Sequence, residues 1–200
     1  MRWDRFFEDL EDQLSFEWEA ERAVLDSEAE RLRLSCVQLR DRLRMLSTRE
    51  RAGAAPSFEL ADGSVFTAEV SAVGADWIGI VPVGQAAGVV VPIAAISAVG
   101  MPQADLLRSA RTVEGSARLS ERMTLGFVLR DFVRRRAAVA VRLVDGRSLT
   151  GTIDRAGADQ LDIALHDSGA PRRADQVTGY RLVPFASIAW VRPEMPSAWA

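Results

Sequence analysis

Residues 58–80 read FELADGSVFTAEVSAVGADWIGI, and residues 141–163 read VRLVDGRSLTGTIDRAGADQLDI. Eight of these 23 aligned positions are identical: Leu60/Leu143, Asp62/Asp145, Gly63/Gly146, Thr67/Thr150, Gly74/Gly157, Ala75/Ala158, Asp76/Asp159 and Ile80/Ile163. Most other apolar positions stay apolar, as at Val70/Ile153 and Ile78/Leu161. A second block, Val91 to Val99 (VPIAAISAV), matches Val183 to Val191 (VPFASIAWV) at a shift of 92 instead of 83. The second copy therefore carries nine more residues between its third and fourth strands. A duplicated β module organises the chain.

Each copy has the grammar of a small antiparallel barrel. Val139, Val141 and Leu143 alternate with Ala140 and Arg142, which gives one buried face at period two. Asp-Gly then supplies a tight turn, because Gly tolerates positive φ and Asp accepts local backbone hydrogen bonds. A return strand carries Leu149, Gly151 and Ile153, with Gly151 suited to a sharp bend. Gly-Ala-Asp makes the next turn, Leu161, Ile163 and Leu165 mark the third strand, and the Val-Pro block supplies the fourth and fifth. A helix over Leu119 to Arg136, with Ser120 as its N-cap, leads into the second copy.

The run from Val141 to Ile153, followed by Asp159 to Leu165, resembles the first motif of Sm-like barrels, the group of Sm, LSm and bacterial Hfq proteins. Other five-stranded SH3-like barrels share this pattern. The resemblance implies ring-forming barrels that bind RNA, and the helix before the second copy is similar to the family's short leading helix. This chain departs from the family where the latter places a base-contacting Asn, having Gln160-Leu161-Asp162 and Trp77-Ile78-Gly79 instead. Val183-Pro184 and Val91-Pro92 replace the Arg-Gly pair of eukaryotic members, and Pro removes an edge donor.

Residues 3–50 contain neither Gly nor Pro and are rich in Glu, Arg, Leu and Ala, so they predict one long helix. Trp18, Leu25, Leu32, Leu39 and Leu46 recur every seven residues, and Ala29, Cys36 and Leu43 fall at the companion positions. That seam suits self-association as a coiled coil, or packing against the chain's own domain. Trp3, Phe6, Phe7, Leu10 and Leu14 form a separate stripe upstream. The acidic segment before the leucine repeat excludes a basic zipper.

The 200 residues carry 28 acids, 25 bases and one histidine, for a net charge of −3. Residues 1–30 have a net charge of −8, 31–51 of +5, 52–100 of −4 and 101–136 of +4. No global positive field recruits nucleic acid. Trp77 to Ala104 is an uncharged run of 28 residues, but Pro82, Pro92, Pro102 and four glycines break it, so it reads as strands and membrane contact is not expected. The opening residues, Trp-Asp-Arg-Phe-Phe-Glu-Asp after Arg2, do not read as a secretory leader, so a cytoplasmic location is the expectation. The lone Cys36 excludes internal disulfides and Cys-rich metal sites.

Arg130, Arg134, Arg135, Arg136, Arg172, Arg173 and Arg181 are candidates for contact with phosphate or an acidic partner. His166-Asp167-Ser168 are neighbours in a loop, and adjacency is not the geometry of a nucleophile and base. No catalytic residue, cofactor site or metal site is assigned. The expectation is an α+β chain: a helical segment over 1–52, a first five-stranded Sm-like or SH3-like barrel over 57–100, a helical linker over 101–136 and a second barrel over 137–193. It would be a non-enzymatic scaffold that forms homo-oligomers through the N-terminal helix and presents its barrels to a protein partner. The alternative is an RNA- or DNA-binding adaptor that uses the arginines.

Overall fold

A computed structural model describes residues 18, 22, 24–47, 54–110, 119–169 and 172–194. They fall in two compact units, Met1–Gln38 and Leu39–Ala200. The first unit contains helix α1, continuous over 24–35. Its last turn tightens as the Cys36 amide donates to both Leu32 and Arg33 carbonyls at 3.3 Å, and the Ser35 hydroxyl turns back to Leu32 at 2.7 Å. The single helix expected over 3–50 is thus broken at 36–38. The upstream stripe of Trp3, Phe6, Phe7, Leu10 and Leu14 lies outside the described residues.

The second unit begins with α2 (Leu39–Ser47). Five strands follow: β1 (Ser57–Leu60), β2 (Val65–Val73), β3 (Trp77–Pro82), β4 (Val89–Pro92) and β5 (Ile96–Gly100). Helix α3 (Gln103–Ser109), a 3-10 turn (Leu119–Arg122) and α4 (Leu125–Arg135) lead to β6 (Ala138–Leu143), β7 (Ser148–Ala156), β8 (Gln160–Leu165), β9 (Gly179–Pro184) and β10 (Ile188–Pro193). The Asp-Gly turns form as the residue types dictate, with Gly63 at φ 81° and Gly146 at φ 87°. A single 3-10 turn, Ile93–Ala95 or Phe185–Ser187, joins the fourth strand to the fifth in each copy.

The two expected barrels do not form separately. All ten strands belong to one antiparallel sheet in the order β5-β1-β2-β3-β4-β10-β6-β7-β8-β9. Within each copy the ladders are alike: the first strand pairs with the second and the fifth, the second with the third, and the third with the fourth. The fourth strand does not return to its own fifth. Instead β4 pairs with β10, with Val90 opposite Val191, and the sheet stays open at β5 and β9. The long N-terminal helix plus twin closed Sm-like or SH3-like barrels is therefore replaced by a single open sheet flanked by short helices.

The leading helix is also shorter than its pattern. The Met123 carbonyl accepts from the Trp77 indole N–H and the Ala75 amide, each at 2.9 Å, so it is unavailable to a helix running from Leu119. Thr124 rather than Ser120 precedes the first turn of α4, and the Asp76 carboxylate accepts from the Leu125 amide at 2.6 Å. A carboxylate at a helix N-terminus satisfies a donor with no intrahelical partner.

The repeat extends to the helices. At a shift of 90, Leu39-Arg40-Asp41 of α2 matches Leu129-Arg130-Asp131 of α4. The Arg40 guanidinium donates to the Gly74 carbonyl at 2.8 Å, and Arg130 donates to the equivalent Gly157 carbonyl at 3.3 Å. Helix α2 lies on β2 through Leu43, which is 1% exposed, and α4 lies on β7 through Leu129, which is fully buried. Helix propensity favours continuation through residues 36–38. Burial of Leu43 and the Arg40 bonds favour a separate α2, and packing outweighs propensity.

Two core clusters result, and each borrows across the junction. One gathers Leu129, Phe132, Val141, Ile153, Ile163 and Val191 of the second repeat with Trp77 and Val90 of the first. The other gathers Leu43, Phe58, Ile78, Ile80 and Val91, with Trp190 of the second repeat packed against it. At Gly151 a Cβ would sit 2.0 Å from the Ala164 carbonyl oxygen, so the β7–β8 approach requires glycine. Leu43→Ala should lower the free energy of unfolding by about 2–5 kcal/mol, because it leaves a cavity under α2. Gly151→Ala should be destabilising as well, and urea denaturation measures both. Wild-type stability in Leu43→Ala would show that α2 is not part of the core.

Candidate functional site

The repeat junction is built from side chains that differ between the copies. Trp190 stands where the first copy has Ala98. Its ring meets Phe66 edge-on, with centroids 5.9 Å apart at 86°, and its indole N–H donates to the Ser64 hydroxyl at 3.3 Å. The Arg192 guanidinium lies over both rings, 5.2 Å from Trp190 and 5.9 Å from Phe66. Its buried Nε has no hydrogen-bond partner among the described residues, so the aromatic faces carry the contact. Sequence reading passed over this cluster; the signal was the Ala98/Trp190 difference inside an otherwise matching block.

Asp62, in the first Asp-Gly turn, accepts from Arg142 of β6 at 3.0 Å and from the Ser64 hydroxyl and amide at 2.6 and 3.1 Å. Arg142 also donates to Ser148 at 2.9 Å. Burial alone would push the Asp62 carboxyl up, but the bonds from Ser64 and Arg142 outweigh it and hold the group below its ordinary value. This ion pair crosses between the repeats.

The expected self-association seam divides into two parts. In the first unit, Trp18 and, on α1, Leu25 and Leu32 are 69%, 64% and 68% exposed, and Ala29 is exposed with them. Cys36 is an exposed free thiol in the turn after α1 and lies on no continuing seam. In α2, Leu43 and Leu46 pack into the first-repeat core, while Leu39 remains 45% exposed. Leu39, Leu43, Leu46, Ile96, Val99 and Leu106 line an open apolar cavity of about 180 Å³ along β5. At the other end of the strand order, Tyr180 and Leu182 of β9 are 61% and 68% exposed.

The candidate basic residues are partly engaged. Arg134 and Arg135 both pair with Asp131 of α4, the latter at 2.7 Å. Arg172 pairs with Asp154 of β7 at 2.6 Å, and this hydrogen bond and charge raise its pKa above the ordinary arginine value. Arg130 bonds the Gly157 carbonyl just beyond β7, and Arg172 bonds the Asp154 side chain within it. Arg136 ends α4 in the left-handed region at φ 51°, Arg173 lies in the β8–β9 loop, and Arg181 on β9 bonds the Tyr180 carbonyl at 2.8 Å. The loop His166 is 4% exposed: its Nδ1 donates to the Asp167 carbonyl at 3.0 Å and its Nε2 accepts from Thr152 at 2.8 Å. Ser168 bonds Glu194 rather than His166.

Among the described residues no cluster of three or more acidic, Cys or His side chains could hold a metal, and no helix is long and apolar enough to cross a membrane. No family model matches the chain, and none of the curated proteins resembles it in sequence.

The Asp62–Arg142 bond predicts a pH signature. A carboxyl with a lowered folded-state pKa stabilises the fold at pH values above its unfolded pKa, and that stabilisation fades as the folded form is protonated. Asp62→Asn should cost about 1–3 kcal/mol at neutral pH. The gap from wild type should close as pH falls below 3.8, the ordinary aspartate value. A gap independent of pH would contradict the ion pair.

Proposed function

We propose that the protein is a non-enzymatic cytoplasmic scaffold that self-associates through α1 and presents its ten-stranded sheet to a protein partner. The observation that carries this reading is the face of α1. Trp18, Leu25 and Leu32 recur at seven-residue spacing and face solvent, whereas Leu43 and Leu46 of the same sequence repeat are consumed by their own core. A helical row of large apolar side chains left in water gains free energy by pairing. Small Ala29 between them permits close approach of a second helix.

Nucleic-acid binding is the less supported role. Asp131 and Asp154 engage three of the seven candidate arginines, which reduces the charge on offer to phosphate.

Sedimentation of the full chain and of Leu25→Glu with Leu32→Glu tests the proposal. The variant should show a lower mass at every concentration while keeping the wild-type far-ultraviolet spectrum. Equal masses would overturn the role of α1. An RNA or DNA titration at about 50 and 200 mM salt should show little binding, whereas tight binding with steep salt dependence would favour the arginine-based alternative.

A further inference from the structure

We infer that the second repeat holds an open docking site for an acidic segment of a partner protein, equivalent to the site that the first repeat fills with residues 121–125 of its own chain. In the first repeat, Arg44 of α2 pairs with the Glu121 carboxylate at 2.9 Å, and Arg40 donates to the Glu121 carbonyl. The Ala75 amide and the Trp77 indole N–H both donate to the Met123 carbonyl at 2.9 Å, and the Asp76 carboxylate accepts from the Leu125 amide at 2.6 Å. One short segment thus engages two arginines, two further donors and a carboxylate. Glu121 is buried by these contacts.

The same groups recur in the second repeat. At the shift of 90, Arg40 and Arg44 become Arg130 and Arg134 of α4; at the shift of 83, Gly74-Ala75-Asp76-Trp77 becomes Gly157-Ala158-Asp159-Gln160. Both turns close alike, with the Gly74 amide donating to the Trp77 carbonyl and the Gly157 amide to the Gln160 carbonyl, each at 2.8 Å. Gln160 replaces one side-chain N–H donor with another. A Cβ on Gly74 would lie 2.0 Å from Trp77 Nε1, and a Cβ on Gly157 would lie 2.8 Å from Gln160 Nε2, so the two nitrogens sit over equivalent points of the turn.

The copies differ in their cover. The Arg44 side chain is 19% exposed and that of Arg134 77%. Arg40 is half-buried, whereas Arg130, Ala158 and Asp159 are exposed. Among the described residues, the Ala158 amide, the Gln160 side-chain amide and the Asp159 carboxylate have no hydrogen-bond partner. Arg134 is held by Asp131, which also binds Arg135 at 2.7 Å; such exposed pairs are weak, and Asp131 stays paired when Arg134 turns away. Phe127, which is 49% exposed, precedes Arg130 by three residues and Arg134 by seven, so it offers an apolar ring on the same face of α4.

These groups select the occupant. Arg134 matches a carboxylate, Arg130, Ala158 and Gln160 match peptide carbonyls, and Asp159 matches a peptide N–H, as at the entry to a helix. That alternation fits an acidic polypeptide, and the Asp159 carboxylate repels phosphate. A second copy of this chain is a poor match. The residues that precede α2 as 121–125 precede α4 are Arg31-Leu32-Arg33-Leu34-Ser35, which put an arginine in the place of Glu121. The occupant is therefore a different protein. This site names the chemistry of the partner in the scaffold proposed above; it rests on that reading for the existence of a protein partner, and not on α1.

A synthetic peptide of residues 119–125, LSERMTL with blocked termini, is the probe. Added to the isotope-labelled full chain, it should shift the nuclear magnetic resonance signals of the Ala158 amide and the Gln160 side-chain amide, and saturate them by about 1 mM. Arg134→Glu should weaken binding at least about tenfold with an unchanged melting temperature, because the side chain is exposed, and the peptide carrying Glu121→Arg should recover most of that loss against Arg134→Glu. The chain with Leu25→Glu and Leu32→Glu should bind the peptide as the wild type does, so failure of self-association and failure of this site read out separately. No saturable shift, shifts at Ala75 instead of Ala158, equal affinity in Arg134→Glu, no recovery by the exchanged charges, or shifts caused by an RNA oligonucleotide and not by the peptide would each overturn the inference.

Discussion

The pairing of β4 with β10 is the contact on which the molecule depends. It places Val90 against Val191, both fully buried, at the point where two repeats of one sequence pattern meet. A duplicated strand module could close each copy on itself. Here the fourth strand of one copy is covered by the fifth of the other, so neither core is complete alone. Trp77 and Val90 cross one way, and Trp190 packs the other way. Burial of a valine contributes about 1.5–3 kcal/mol, and separating the repeats would expose several such side chains at once.

The helices follow the same duplication. Arg40 and Arg130 each tie a leading helix to the glycine carbonyl that ends the second strand. Helix α4 also answers to the first repeat, because Asp76 receives its Leu125 amide and the Met123 carbonyl is held by Trp77. The turn after β2 thus sets where α4 starts, while β7 supports its body. Across the junction, Asp62 and Arg142 add a charged bond and the Phe66, Trp190 and Arg192 stack fills the space beside it.

The strands and turns were legible because their signals are local. Period-two alternation, Asp-Gly and Gly-Ala-Asp act within a few residues, and the repeat shows them twice. The joining of the copies was not legible, since VVVP in β4 and RLVP in β9 have the same strand-plus-proline form and nothing in either names its partner. The helix break at 36–38 has no Gly or Pro to mark it; it follows from where Leu43 and Arg40 find partners. A heptad count treats Leu32 and Leu43 alike, yet one faces water and the other the core. The Leu-Arg-Asp match between α2 and α4 was present in the letters, and it would have assigned α2 to the first repeat. Arginine counts likewise omit the acids that engage them, as Asp131 engages Arg134 and Arg135 and Asp154 engages Arg172.

Amide hydrogen exchange across the junction tests this account most directly. If one sheet spans both repeats, the amides of β4 and β10 exchange as slowly as those of β3 and β6, through opening of the whole second unit. Exchange in β4 and β10 that is much faster than in β3 and β6 would mean that the repeats part independently, and would contradict the single sheet.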